Sequence, residues 1–220
     1  SSREVAIVQK ERPVPESGPS DHTIDVGKRE AGHFLLVCSD CQASDRRILG
    51  IDSPSVISHR NLGGLVQPTD ISCIATLETG VDVLGVEKIV VCGHYDCPAF
   101  STAFGGQRSG IAGNWLLDVE RTAAKYRHQL GIVENTPDRL RALCELNTIE
   151  QANRICSLGF VQNAWAHGRP LTVTAVIFDN VSGRLIDLGF TISSANGIDD
   201  CLNEAVSRIS ADRSLDGSWG

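Results

Sequence analysis

The stretch KIVVCGHYDC, residues 88–97, decides how the rest of the chain is read. Its first part, KIVVCGH, is a continuous apolar run of the kind that a parallel sheet buries on both faces. Its second part delivers a histidine, an aspartate and a cysteine at the C-terminal end of that strand. In open α/β sheets, ligands bind outside the carboxyl ends of the strands. A strand that ends in HYDC is therefore expected to end at a site.

Working outward, HFLLVC (33–38) is a second short apolar run, and it too ends in a polar cluster, Cys38-Ser39-Asp40-Cys41. PSVISHRN (54–61) is β-branched and strand-like. ISCIATLETGVDVL (71–84) places Ile71, Ile74, Leu77, Val81 and Leu84 at three- and four-residue spacing, which predicts a helix, with Thr69 or Asp70 as its N-cap. Helical patterns also cover 110–130 and 137–168. LTVTAVIFD (171–179) and GRLIDLGFT (183–191) alternate apolar and polar residues around NVSG, a turn. Strands alternating with helices predict one α/β domain, with a mainly parallel sheet flanked by helices and an antiparallel strand at its C-terminal end. Its expected extent is 33–198. A polar arm bearing Pro13, Pro15 and Pro19 precedes it (1–32), and a tail of one short helix and frayed residues follows (199–220). The glycine-rich FGGQRSG (104–110) lacks the strand–turn–helix setting of a dinucleotide fingerprint and reads as a loop.

A chain of 220 residues is long enough to bury one sizeable core. The formal net charge of −7 and the lack of any Lys/Arg-rich run argue against a nucleic-acid partner. No apolar run approaches a membrane span, and no signal-peptide pattern opens the chain. Methionine is missing even at position 1, so the sequence reads as trimmed or processed, and a targeting segment is one thing that can have been removed. Of the eight cysteines, Cys73, Cys92, Cys144 and Cys156 lie in apolar surroundings, where a free thiol behaves as a small buried hydrophobe. Disulfide frameworks belong to shorter, loop-rich secreted chains. The expectation is reduced thiols in an intracellular, most simply cytoplasmic, protein.

The two polar clusters lie at the ends of two apolar strands that adjacent sheet positions can bring together. Thiolate and imidazole together suit zinc. Two ligand sets follow. Cys38, Cys41, His94 and Cys97 would make a closed structural site; Cys38, His94 and Cys97 alone would leave a fourth position open for water, the pattern of a catalytic zinc. A large α/β core has little need of a metal staple, which favours the open set, although spacing alone leaves both possible.

An ordered series of segments carries a more specific reading: CSD (38–40), HRN (59–61), GGLV (63–66), VDVLGVEKIVVCGHYDC (81–97), NWLL (114–117), ELNTIEQ (145–151) and SGRLIDL (182–188). Together they resemble the β-class carbonic anhydrases, from about His33 to Thr191. The resemblance implies zinc held by Cys38, His94 and Cys97, with Asp40 beside the metal-bound solvent. Cys41, which falls where the family commonly has serine, lies outside the ligand set. The implied activity is that of a zinc-dependent hydro-lyase: attack of zinc-bound hydroxide on CO2, giving bicarbonate. The second ring nitrogen of His94 is expected to be fixed by a backbone or carboxylate acceptor. The family further implies a homodimer or a dimer-built tetramer.

Two residues depart from the family pattern. Gln42 stands where an arginine usually pairs with the aspartate, and a glutamine amide offers a neutral, weaker bond than a bidentate guanidinium. Asp40 is then less restrained and free to swing onto the metal, so Gln42 is expected to lower or alter CO2 hydration. Pro98 replaces the usual glycine after the zinc cysteine; it either starts a helix at its first position or reshapes the pocket wall. Arg60, Asn61, Tyr95 and Pro98 are expected to border the substrate pocket, although for Arg60 and Asn61 hydrogen bonding at a strand end explains the same residues. The competing functions are hydrolysis of a CO2 analogue, such as carbonyl sulfide or carbon disulfide, and a non-catalytic zinc or thiol-sensing role in which Cys41 closes the site or pairs with Cys38.

Overall fold

A computed structural model describes residues 32–50, 56–104, 110–133 and 136–214, with side chains to residue 209. The proline-bearing arm and most of the 104–110 loop lie outside the described residues. The apolar runs form the sheet as expected: β1 (His33–Cys38), β2 (Val56–Asn61), β3 (Lys88–His94), β4 (Thr172–Asp179) and β5 (Arg184–Ile192). Their order is β2-β1-β3-β4-β5. The first four run parallel and β5 pairs antiparallel with β4 across the turn after Asp179. Phe34, Leu35, Leu36 and Val37 of β1 and Ile89, Val90, Val91 and Cys92 of β3 are buried on both faces, which is why these runs do not alternate. Registers of Cys38 opposite Asn61 and Val37 opposite Cys92 bring the C-terminal ends of the three strands to one edge.

Helices cover the faces. α1 (Asp45–Leu49) follows β1, with Ser44 as its side-chain cap. α2 (Ile71–Glu78) is capped by Asp70, whose carboxylate accepts the Cys73 N–H, and runs into a π-helical turn at Thr79–Val83. The expected apolar stripe holds at Leu77 and Val81 but fails at Ile71, which is 77% exposed. Cys73 is buried instead: the core-facing stripe runs Cys73, Leu77, Val81 at four-residue steps, and Ile71 lies about 200° round the helix from Cys73.

The pattern over 110–130 divides into α4 (Gly110–Trp115), α5 (Leu117–Lys125) and α6 (Arg127–Ile132), after the short α3 (Pro98–Phe104). The breaks fall beside Trp115, whose indole donates to the Leu62 carbonyl, and at Tyr126, whose hydroxyl donates to Glu150. These anchored aromatics bend the chain around α7 (Thr136–Cys156), which α8 (Gly159–Ala166) follows. α7 presses against β3 so closely that a Cβ on Gly93 would collide with the Thr148 hydroxyl. In place of a short tail helix, α9 runs over Ile198–Ser214 and packs on α6, α7 and β5, burying Ala205, Val206 and Ile209.

Candidate metal centre

β1 ends at Cys38, where the chain turns: the Cys41 N–H donates to the Cys38 carbonyl, and the Ser39 N–H to the Asn61 carbonyl of β2. Beyond β2, Gly63 and Gly64 take positive φ (82° and 60°), a turn that side-chain-bearing residues resist. The turn aims the Gly63 N–H at Cys38 Sγ, 3.2 Å away, and the Asp40 N–H approaches the same sulfur at 3.4 Å. From the next strand, His94 closes β3, and Cys97 follows at the start of α3.

The result is a buried group in which Cys38 Sγ, Cys97 Sγ and a ring nitrogen of His94 all lie within 4.8 Å of one another. The two sulfurs are 3.8 Å apart. Two thiolates on a tetrahedral zinc, with bonds of about 2.3 Å, sit roughly 3.8 Å apart. His94 Nδ1 is 3.0 Å from the Tyr95 carbonyl, so this nitrogen carries the proton. His94 Nε2 is buried without a hydrogen-bond partner among the described residues. A buried imidazole nitrogen with a free lone pair, beside two sulfurs at this separation, fits a zinc ion. The acceptor for the second ring nitrogen is thus a backbone carbonyl, and the Asn180 amide lies near it, 3.4 Å from Nδ1.

The electrostatics agree with this fit. The hydrogen bond from Cys97 outweighs burial and, with further help from His94 and the two backbone N–H groups, pulls the Cys38 thiol down to about 4. Cys97 is pushed up, chiefly by the same contact, so without a cation the two sulfurs share one proton. Burial alone would lower the basicity of His94, but the Cys38 contact and the Tyr95 carbonyl leave it raised.

Cys41, although buried, is not in this group, and burial raises its thiol above the ordinary value. Asp40 and Gln42 are both exposed at the rim. The Asp40 carboxylate is not among the clustered ligand atoms, and among the described residues neither it nor the Gln42 amide bonds to another side chain.

The residues expected around the pocket fall into place differently. Arg60 donates to the Cys41 and Ala43 carbonyls at 2.9 Å each and pairs with Asp45 at 2.6 Å. Asn61 bridges the Leu65 backbone from both amide atoms and donates to Asp70. Both therefore fasten the loops that follow β1 and β2, as strand-end hydrogen bonding would have it. The Tyr95 ring is buried; its hydroxyl donates to Glu145, and the Arg141 guanidinium lies 4.4 Å from its centroid. Pro98 is exposed and is the first residue of α3.

Sequence reasoning missed a second layer on α7. Asn147 donates to the Gly63 carbonyl at 3.3 Å, and Gln151 donates to Asn147 while accepting the Val66 N–H at 2.8 Å. These buried amides hold the turn that aims the Gly63 N–H at Cys38. The signal was the run of polar residues within ELNTIEQ, on a helix that buries nearly all of them.

A family model described as carbonic anhydrase matches residues 33–185. A carbonic anhydrase of Emericella nidulans is 30% identical over 156 residues, covering 71% of this chain and 68% of that protein. Among solved structures, the Coccomyxa β-carbonic anhydrase in complex with acetazolamide is 29% identical, covers 76% of each chain and superposes with a TM-score of 0.72. A tetrameric β-carbonic anhydrase from Sordaria macrospora is also 29% identical, covering 76% of this chain and 84% of that one, with a TM-score of 0.70.

Proposed function

The chain belongs to the β-class carbonic anhydrase family, and from that premise we propose that it catalyses the reversible hydration of CO2 to bicarbonate with zinc held by Cys38, His94 and Cys97. The observation that carries the reading is the unpartnered, buried Nε2 of His94 beside two sulfurs spaced for a tetrahedral ion, with no carboxylate among them. When bound there, zinc supplies the acidity that brings a coordinated water to a pKa of about 7, an effect known from carbonic anhydrases themselves.

Each residue has a task of its own. The Cys97 contact, with His94 and the Asp40 and Gly63 N–H groups in support, favours the Cys38 sulfur as a thiolate, and the Tyr95 carbonyl holds His94 in the tautomer that presents Nε2. Asp40 stands at the rim, and its carboxylate would accept a hydrogen bond from solvent beside the bound ion and so help to orient it toward the substrate. Gln42 gives that carboxylate no charged partner, so its orientation is looser than an arginine would make it. Pro98 starts α3 and borders the site from the exposed side. Arg60, Asn61 and the Tyr95 ring act at one remove, by fixing the loops and the strand end. We take the chain to assemble as a homodimer or a dimer-built tetramer, in keeping with the tetrameric Sordaria structure.

The test is CO2 hydration by stopped flow on zinc-loaded protein, with sulfide release from carbonyl sulfide and carbon disulfide measured on the same sample. CO2 hydration that disappears in His94→Ala is the expected result. Sulfide release without CO2 hydration would reassign the substrate to a CO2 analogue. Neither activity with zinc bound would leave a non-catalytic zinc protein.

A further inference from the structure

Behind the proposed centre, a second group of ligand-type side chains meets at the end of β2. A ring nitrogen of His59, a carboxylate oxygen of Asp70 and Cys73 Sγ lie within 4.8 Å of one another. His59 belongs to the edge strand, Asp70 caps α2, and Cys73 lies in the first turn of that helix, so two separate pieces of backbone contribute. His59 Nε2 is buried and has no hydrogen-bond partner among the described residues, the same condition as His94 Nε2. It faces Asp70 Oδ2 at 3.6 Å, too far for a hydrogen bond. Nitrogen and oxygen ligands on a tetrahedral zinc sit roughly 3.3–3.5 Å apart, since both bonds are about 2.0–2.2 Å long.

The acid is already oriented. Asp70 Oδ1 accepts the Cys73 N–H at 3.1 Å, and Oδ2 accepts the Asn61 amide at 3.1 Å, which leaves Oδ2 a second lone pair on the side of His59. The side chains of His59 and Asp70 each keep 13% of their surface exposed, whereas Cys73 is fully buried. An ion can therefore arrive from the His59–Asp70 side and meet the sulfur last. A hydrated proton-bearing histidine would explain a simple ion pair with Asp70, but not why a sulfur completes the triangle around an unpartnered nitrogen.

We propose that His59, Asp70 and Cys73 form a second zinc site, separate from the Cys38–His94–Cys97 centre. One thiolate, one imidazole and one carboxylate make a donor set that suits zinc over the harder magnesium and calcium ions. With three protein donors the fourth position would be left to solvent, and the place of the site lets a bound ion brace the fold. It ties β2 to the start of α2 and so closes the loop between them, which carries Gly63 and its N–H to the Cys38 sulfur. The site stands whether or not the first centre hydrates CO2.

The experiment is elemental zinc analysis of purified full-length chain after gel filtration, on the native protein and on Cys73→Ser and His59→Gln. The native chain is expected to hold about two zinc ions, and each variant about one, with CO2 hydration kept within about threefold. His59→Gln leaves the helix cap and the buried sulfur in place, so it reports even if Cys73→Ser folds poorly. Loss of the second ion should also lower the melting temperature of the native protein when a chelator strips only that ion, because a ligand bound to the folded state stabilises it. Cobalt substitution supplies an independent readout: the thiolate-to-cobalt absorption should fall in Cys73→Ser while the part owed to Cys38 and Cys97 persists. A native protein holding a single zinc that neither substitution removes would overturn the proposal. So would a second zinc that survives both.

Discussion

Two groups of ligand-type residues lie at one edge of the same sheet, and they are built to different standards. At the ends of β1 and β3, two sulfurs meet one histidine, and two backbone N–H groups converge on Cys38, whose thiol falls to about 4 chiefly through its contact with Cys97. At the end of β2, one sulfur meets a histidine and an acid. Burial, and then the Asp70 charge, push the Cys73 thiol up to about 12. Both groups bring three ligand-type atoms within 4.8 Å of one another. Without a cation the first already holds one of its two thiols ionised, the two sulfurs sharing a proton, whereas burial and the Asp70 charge keep the single thiol of the second protonated. Juxtaposition makes a metal site possible, and preorganised donors around the sulfur decide how tightly it holds. On this comparison, graded chelation should remove zinc from the β2 group first and leave CO2 hydration nearly intact until the second ion goes.

The largest expected effect comes from breaking the stronger group. Cys38→Ser or His94→Ala should remove one zinc equivalent and lower CO2 hydration by at least about a thousandfold, because the acidity of the coordinated water is lost with the ion. Retention of activity in a zinc-depleted His94→Ala protein would break the comparison outright. Asn147→Ala tests the claim that main-chain donors make the difference, since Asn147 holds the Gly63 turn through its carbonyl. Zinc affinity at the Cys38 centre should fall about 10- to 100-fold, the usual effect of an outer-layer partner, without a change at the β2 group. Equal loss at both groups in competition with a chelator would count against that claim.

Smaller effects sharpen the rim. Gln42→Arg should raise CO2 hydration by about fivefold, since a charged bidentate partner for Asp40 is worth roughly 1 kcal/mol more than a neutral amide. A rate that does not improve would mean that Gln42 is not what restrains the enzyme. Cys41→Ser should change the hydration rate by less than about twofold and cost about 1–2 kcal/mol of stability in chemical denaturation, because a buried, neutral thiol is exchanged for a hydroxyl.

The sheet was legible because its strands announce themselves: HFLLVC and KIVVCGH are too uniformly apolar to lie anywhere but between two layers. The two clusters at their ends were legible for the same reason, as a strand that stops in CSDC or HYDC stops at the edge where sites form. What hid was whatever depends on a buried amide. Asn147 and Gln151 stand in the sequence with nothing to mark them as buried, yet they hold the Gly63 turn from inside. Ile71 read as core, but the stripe that faces the core runs Cys73, Leu77, Val81 and leaves Ile71 to solvent. His59 read as a lone histidine in a strand, since its partners Asp70 and Cys73 come from a later element across a loop. The long pattern over 110–130 gave no hint of its two breaks, which depend on where Trp115 and Tyr126 find acceptors.

The central claim is that the Cys-x-x-Cys pair at the end of β1 is divided, with Cys38 on the metal and Cys41 beside it. Zinc-edge X-ray absorption on Cys73→Ser, which should carry only the first ion, tests this most directly. The account predicts a first shell of two sulfurs, one imidazole nitrogen and one lighter oxygen that exchanges with added anions. A shell of three sulfurs and one nitrogen, with no exchangeable position, would place Cys41 on the metal and contradict it.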